Sequence, residues 1–198
     1  MSRRHFVLRS EPTDLSFFDT MEAALDAVRE KHGLDIEYSH SEEIAENLGR
    51  HIYMETDNRA LLRVVDDHRT PVRYLIVECL TDQGVDQLSK WLGESLPFIA
   101  LQELQGEARA TGATNPESLI RLALGAGETA DPETQEILSD GLQAPDAMVR
   151  FRAAEAASLT QWPEFIPALT KLKESDPSPE VREMAGRALK SSQGTAKS

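Results

Sequence analysis

The sequence is poor in features that would point to a secreted or a membrane protein. It has one cysteine, so no disulfide can form within the chain. No apolar run approaches the ~18 residues of a membrane-spanning helix, and the apolar residues 6–8 are too few for the core of a signal peptide. We therefore expect a cytoplasmic protein without a membrane segment.

Positive charge is also scarce. The chain has 21 Lys and Arg residues against 34 Asp and Glu residues, a formal net charge of −13. Nucleic-acid binding requires clustered cations that neutralise the phosphates, so we expect no nucleic-acid partner. The acidic bias lies mainly in the first half, where it favours the approach of a basic protein; an acidic surface that serves only solubility is the simpler alternative.

Residues that support catalysis or metal binding show no informative spacing. The five histidines contain no pair four residues apart, as two metal ligands on one helix face would require. Cys79 lies in an apolar segment, and neither a Gly-x-Ser-x-Gly motif nor a glycine-rich phosphate loop occurs. We predict no metal, no cofactor and no catalytic residues. The histidines are His5, His32, His40, His51 and His68.

The first half alternates strand-like and helix-like segments. Residues 15–31 carry apolar residues at helical spacing and end at Gly33, which predicts a helix. Ser39 and Glu42 have the spacing of a capping box and predict a second helix over 39–49. A third helix is predicted over 82–93. Strands are predicted over 5–8, 34–38, 50–55, 60–65 and 72–80.

The last two predicted strands flank the polar segment 66–71, which favours an antiparallel hairpin. Residues 74–77 are apolar without alternation, so we expect this strand at the centre of the sheet, covered on both faces. Residues 1–96 are therefore predicted to form an α+β domain with a mostly antiparallel sheet.

The second half has a different pattern, in which helix starts recur every 15 or 16 residues. Most of these helix starts combine a capping residue, a proline at the first helical position and a following glutamate. Paired helices with a period of about 32 residues form a stack in which each pair covers the apolar face of the next. The starts fall at Pro116, Pro132, Ala147, Pro163 and Pro179.

Two segments of this half repeat the same residues. A turn aspartate is followed by Val-Arg and then by two small residues, and this pattern resembles the short form of the HEAT-repeat family over residues 115–191. The resemblance implies an all-α repeat stack in which the turn aspartate and the arginine bond within or between repeats. A connecting helix or linker is expected over 97–114 and a disordered tail over 192–198. The repeated positions are Asp146, Val149-Arg150 and Ala153-Ala154 in one copy, and Asp176, Val181-Arg182 and Ala185-Gly186 in the other.

One face of the repeat helices is a candidate partner-binding surface. On the helix after Pro145, four residues follow the spacing i, i+4, i+7 and i+11, while the small residues fall on another face that suits packing. The resemblance places second helices on the concave side of the stack, and aromatic residues and arginine are frequent binding anchors. The alternative is that Phe151 and Trp162 pack inside the protein. The candidates are Phe151, Glu155, Ser158 and Trp162, with Glu183 and Arg187 at matching positions of the next repeat.

These observations leave two classes of function open. The first is a non-enzymatic protein-binding module that acts through the repeat face, for example an adaptor or an immunity-type inhibitor that captures a basic toxin or enzyme. The alternative is an enzyme such as a lyase, with a site in the first domain or at the junction, because HEAT-like repeats also occur in phycobilin lyases. HEAT-like DNA glycosylases are a third case, against which the absence of a basic stripe argues. A pocket lined by His51, Asp66, Asp67 and His68 would favour the enzyme.

Overall fold

The computed structural model describes residues 2–194, and the chain divides between Ile99 and Ala100 into two compact units. The boundary predicted after residue 96 lies close to this division. Within the described residues, the first unit has a five-stranded antiparallel sheet in the order β1-β5-β4-β3-β2, together with two helices, so the predicted α+β class is confirmed. The elements are β1 (Ser2–Val7), α1 (Phe17–His32), β2 (Ile36–Ala45), β3 (Leu48–Glu55), β4 (Ala60–Asp67), β5 (Val72–Cys79) and α2 (Asp82–Leu92).

The core of the first unit forms between the helices and one face of the sheet. The apolar residues that predicted α1 are the ones it buries, and alternate residues of the inner strands meet them. The helix ends at Gly33, whose φ of 68° and hydrogen bond of 2.9 Å from its N–H to the Arg29 carbonyl form the expected C-cap. The buried residues of α1 are Phe17, Met21, Ala24, Leu25 and Val28.

The helix predicted over residues 39–49 is wrong. These residues form most of β2 and the beginning of β3, and the hairpin turns at Asn47, which has a φ of 62°. Glu42 does not cap a helix; it lies opposite Arg50, whose Nε donates to Oε1 of Glu42 at 2.6 Å. A helix here would bury few apolar groups, whereas the strand pairs its backbone along β3.

The predicted hairpin is confirmed. β4 and β5 pair along their whole length, from Ala60 opposite Cys79 to Asp67 opposite Val72. The expected central position of the second strand is wrong, because β5 is an inner strand and β4 is the central one. Burial along β5 alternates: Leu75 is fully buried, while Ile76 is partly exposed. Packing on one face explains this, since successive residues of a strand point to opposite faces.

The part of the second unit that the structure describes is all-α, as predicted. Its helices pair as α3 with α4, α5 with α6 and α7 with α8. The first helices of successive pairs pack on each other, and so do the second helices. The tail predicted as disordered from residue 192 is helical to Gly194, and residues 195–198 lie outside the described residues. The helices are α3 (Leu101–Thr111), α4 (Glu117–Gly125), α5 (Pro132–Leu142), α6 (Ala147–Thr160), α7 (Ile166–Ser175), which follows the 3-10 turn Pro163–Phe165, and α8 (Pro179–Gly194).

Candidate functional site

Hydrogen bonds between repeats fix the positions of the second helices. Asp146 caps α6 by accepting from the N–H groups of Met148 and Val149 at 2.8 and 3.1 Å. One turn later, Arg150 donates from Nε and Nη2 to the carboxylate of Asp176, at 2.7 and 3.0 Å. Both side chains are buried, so this bidentate pair ties the α5–α6 repeat to the α7–α8 repeat.

The same arrangement continues at the next repeat. Asp176 also accepts from the N–H of Ser178 at 2.9 Å, and the hydrogen bond from Arg150 together with this N–H keeps the pKa of the Asp176 carboxyl below its usual value. Arg182 donates to the carbonyls of Asp176 and Pro177 at 2.6 and 3.2 Å. The structural role that the family resemblance implies for these aspartates and arginines is therefore visible in the hydrogen bonds.

The side of α6 that is not packed on its neighbours forms a continuous arc, here called the α6 arc. Met148 is 57 % exposed and Leu159 is 40 % exposed, with half-buried Phe151 between them. A surface helix normally turns a polar face outward, whereas half of the outward residues of α6 are large and apolar. The α6 arc consists of Met148, Phe151, Arg152, Glu155, Ser158 and Leu159.

The charges on the α6 arc are already paired. Arg152 lies 2.6 Å from Glu155 on the same helix and 3.5 Å from Glu117 on α4. Its guanidinium carbon is 5.8 Å from the centre of the Phe151 ring. Ser158 donates its hydroxyl to the Glu155 carbonyl at 2.7 Å. The arc therefore offers apolar surface and internally neutralised charge, which favours an apolar contact.

Glu183 and Arg187 lie at the equivalent positions of the adjacent helix α8. Both side chains are exposed and form an ion pair with each other, four residues apart. Because α8 packs on α6, five of the six predicted residues lie on neighbouring second helices with part of their surface accessible.

The sixth predicted residue, Trp162, is not part of any surface, and its assignment to partner binding is wrong. Its side chain is 2 % exposed, and its indole N–H donates to the Gly127 carbonyl at 3.1 Å. The ring lies 5.8 Å from that of Phe165, at an angle of 18°. The helical spacing fails because α6 ends at Thr160 and the next residue, Gln161, has a left-handed backbone conformation with a φ of 56°.

A polar cluster in the first unit bears on the enzyme alternative. Asp66 is buried and accepts two hydrogen bonds from the fully buried Arg73, at 2.5 and 3.2 Å. Nε2 of His51 is 3.3 Å from the second oxygen of Asp66, and its Nδ1 is 2.7 Å from the hydroxyl of Ser41. The structure thus brings His51 and Asp66 together. Ser41 is not among the residues predicted from the sequence, because the helix predicted over 39–49 hides its cross-strand pairing with His51.

The other two residues of that predicted pocket, Asp67 and His68, lie at the turn between β4 and β5. Asp67 accepts from the backbone and side chain of Arg69 at 2.9 to 3.0 Å, and His68 is exposed. Cys79 is buried, and burial raises the pKa of its thiol. Within residues 2–194, no group of three or more His, Cys, Asp and Glu side chains could hold a metal ion. In the same range, none of the helices combines the length and the apolar composition that a membrane-spanning helix requires.

Comparison with known proteins agrees with the geometry of the second unit. Residues 107–190 match the family model described as HEAT repeats, so this segment is a HEAT-like repeat segment. No curated protein and no solved structure matches the chain. HEAT repeats usually mediate protein–protein interaction, through the extended surfaces that stacked repeats create.

Proposed function

We propose that this protein is a non-enzymatic interaction module that binds a protein partner through the α6 arc and the adjacent Glu183 and Arg187 of α8. The observation that supports this most directly is the exposure of Met148 and Leu159 on a helix whose charged residues are already paired. Covering each of these side chains contributes about 1 kcal/mol or more to binding.

The chemistry of the arc favours an apolar centre with a polar border. Phe151 is half-buried and lies beside the Arg152 guanidinium, so a partner contacts a ring that is held in place. Glu183 and Arg187 border this apolar area as an exposed ion pair. Such a distribution is typical of protein interfaces, in which a few apolar or aromatic anchors supply most of the affinity.

The partner is expected to be basic. Residues 1–99 contain 11 Lys and Arg residues and 19 Asp and Glu residues, so the first unit attracts positively charged proteins. An adaptor or an immunity-type inhibitor that captures a basic toxin or enzyme fits this charge, and a cytoplasmic location belongs to the same proposal. Association with such a partner slows as salt increases, because screening weakens long-range attraction.

The experiment is affinity capture with the full chain at low ionic strength, followed by calorimetry with the purified partner. The double variant Met148→Glu/Leu159→Glu should weaken binding at least about tenfold, because it places charge in an apolar contact. The control Gln135→Glu/Lys171→Gln also lowers the net charge by two, but on α5 and α7, the first helices of their pairs. It should bind normally. Equal binding by all three proteins would refute the proposed surface.

An enzymatic activity in the first unit is the second candidate, favoured by the contact chain from Ser41 through His51 to Asp66. The bidentate pairing of Asp66 with Arg73 argues for a structural role. A fluorophosphonate probe distinguishes the two roles. Labelling of Ser41 that disappears in His51→Ala would support an activated serine, and an unlabelled Ser41 would exclude a serine nucleophile at this position.

A further inference from the structure

The sheet of the first unit has a long edge that no strand covers. β2 pairs with β3 along one side, and none of the strands within residues 2–194 pairs with its other side. Backbone N–H and C=O groups along such an edge are available to a strand from another chain. Addition of an extended segment to a sheet edge is a common mode of peptide recognition.

The edge also exposes apolar side chains. Tyr38 and Ile44 on β2 are 53 % and 47 % exposed. Tyr38 is held in position by an edge-to-face contact with Tyr53, with ring centres 5.6 Å apart. An added strand would cover these side chains with its own, and cross-strand pairs of this kind stabilise a sheet.

Acidic residues determine which segment fits. β2 carries Glu37, Glu42 and Glu43 and has neither lysine nor arginine. Arg50 pairs with Glu42, and Arg29 lies 3.9 Å from Glu37, but Glu43 has no cationic partner in the described part of the chain. An incoming strand with lysine or arginine side chains would supply the missing positive charge.

The opposite edge of the sheet has the opposite charge. β1 carries Arg3 and Arg4, with Arg4 paired to Asp86 of α2 at 2.7 Å. The acidic character of β2 is therefore a property of that edge and does not extend over the whole sheet. A partner segment that suits β2 is repelled by β1, which confines it to one edge.

A second copy of β2 is a poor occupant of this edge. Two copies would bring like charges together, and β2 has register shifts between Tyr38 and His40 and between Glu43 and Ala45. Bulges of this kind hinder the pairing of two preformed edges. A flexible segment can follow the bends, because its backbone adapts as it binds.

We propose that the free edge of β2 binds an extended, basic segment of a protein partner as an additional strand. The inference rests on the proposed interaction function. It places the contact with the basic residues of the partner in the first unit. It names a surface separate from the α6 arc, so the two can be tested independently.

The experiment is residue-resolved amide NMR of the full chain, titrated at low salt with a hexapeptide of alternating lysine and valine. The expected result is a set of shift changes centred on residues 36–45 that weakens as salt is added. The double variant Glu37→Gln/Glu43→Gln should reduce the affinity about fivefold, because it removes two attractive charges. The charge-matched control Glu128→Gln/Glu174→Gln, in the second unit, should leave the affinity unchanged.

Three outcomes would overturn the proposal. The first is an absence of shifts in β2, and the second is an equal response to a hexapeptide of alternating glutamate and valine. The third is a concentration-dependent dimer that already broadens the β2 signals without peptide, since a second copy would then occupy the edge. Repeating the titration with Met148→Glu/Leu159→Glu separates the two surfaces, because this variant loses the α6 arc and should retain peptide binding at β2.

Discussion

Arg150 and Asp176 join two successive repeats through a buried bidentate ion pair, with hydrogen bonds of 2.7 and 3.0 Å. Arg150 lies on α6, and Asp176 immediately precedes the turn into α8. The pair therefore fixes the position of α8 beside α6, and with it the relative position of the α6 arc and the Glu183–Arg187 pair. Its loss should affect both stability and the proposed binding surface.

Asp176→Ala should lower the free energy of unfolding by about 3–5 kcal/mol, because it leaves the Arg150 guanidinium buried without its counterion. The double variant Arg150→Met/Asp176→Leu should lose less than this single variant, since it buries no unpaired charge. Urea unfolding followed by the fluorescence of Trp162, in a Trp91→Phe background, measures both. A loss below about 1 kcal/mol in Asp176→Ala would show that the pair is dispensable.

His5 should make the first unit sensitive to mild acid. Burial, with a smaller contribution from Arg3, lowers the pKa of His5 from 6.5 to about 4. The folded state thus favours neutral His5, and this contribution to stability is complete above pH 6.5 and is lost as the pH falls toward 4. The pKa difference corresponds to at most about 3 kcal/mol.

The variant His5→Gln should reduce this pH dependence. Urea unfolding at pH 7 and pH 4.5 tests it in a Trp162→Phe background, where Trp91 of α2 is the remaining tryptophan and reports on the first unit. An identical loss of stability with and without His5 would show that other groups cause the acid sensitivity.

Trp162 should behave as a core residue. Trp162→Ala removes a side chain that is 2 % exposed and should cost about 3–5 kcal/mol of unfolding free energy. Trp162→Phe keeps most of the packing and should cost less. Thermal unfolding followed by circular dichroism compares the two. Unchanged stability in Trp162→Ala, combined with lost partner binding, would restore Trp162 to the interface.

The hairpin between β2 and β3 should depend on the residue at its turn. Asn47 has a φ of 62°, which asparagine and glycine tolerate better than β-branched residues. Asn47→Val should therefore destabilise the first unit by about 1–2 kcal/mol, while Asn47→Gly should be close to neutral. Equal stabilities of the two variants in urea would contradict a role for this backbone conformation.

The helical repeats could be predicted because their signals are local. Asp131 and Asp146 cap the helices that follow them, and both bonds form within a few residues along the chain. Residues 39–49, for which a helix is predicted, form strands instead. These strands depend on pairing across the hairpin, for example between Glu42 and Arg50. The capping-box spacing at Ser39 is also local, but pairing with β3 outweighs it.

The candidate site was partly predictable for the same reason. Helical spacing correctly places Phe151, Glu155 and Ser158 on one side of α6, because α6 is a regular helix to Thr160. Trp162 lies beyond that end. Gln161 adopts a left-handed conformation, which glycine favours and glutamine does not, so the sequence gives no sign of this turn. The exposed Met148 and Leu159 were missed, because their exposure depends on how neighbouring helices cover α6.

Site-specific photocrosslinking in the source cells tests the central claim most directly. A photoreactive benzoylphenylalanine replaces Met148 or Leu159 on the α6 arc in turn, and Lys171 on α7 serves as the control position. A partner bound at the arc predicts a discrete crosslinked protein from positions 148 and 159 and none from 171. Crosslinks from position 171 alone, or none from the arc, would contradict binding through this surface.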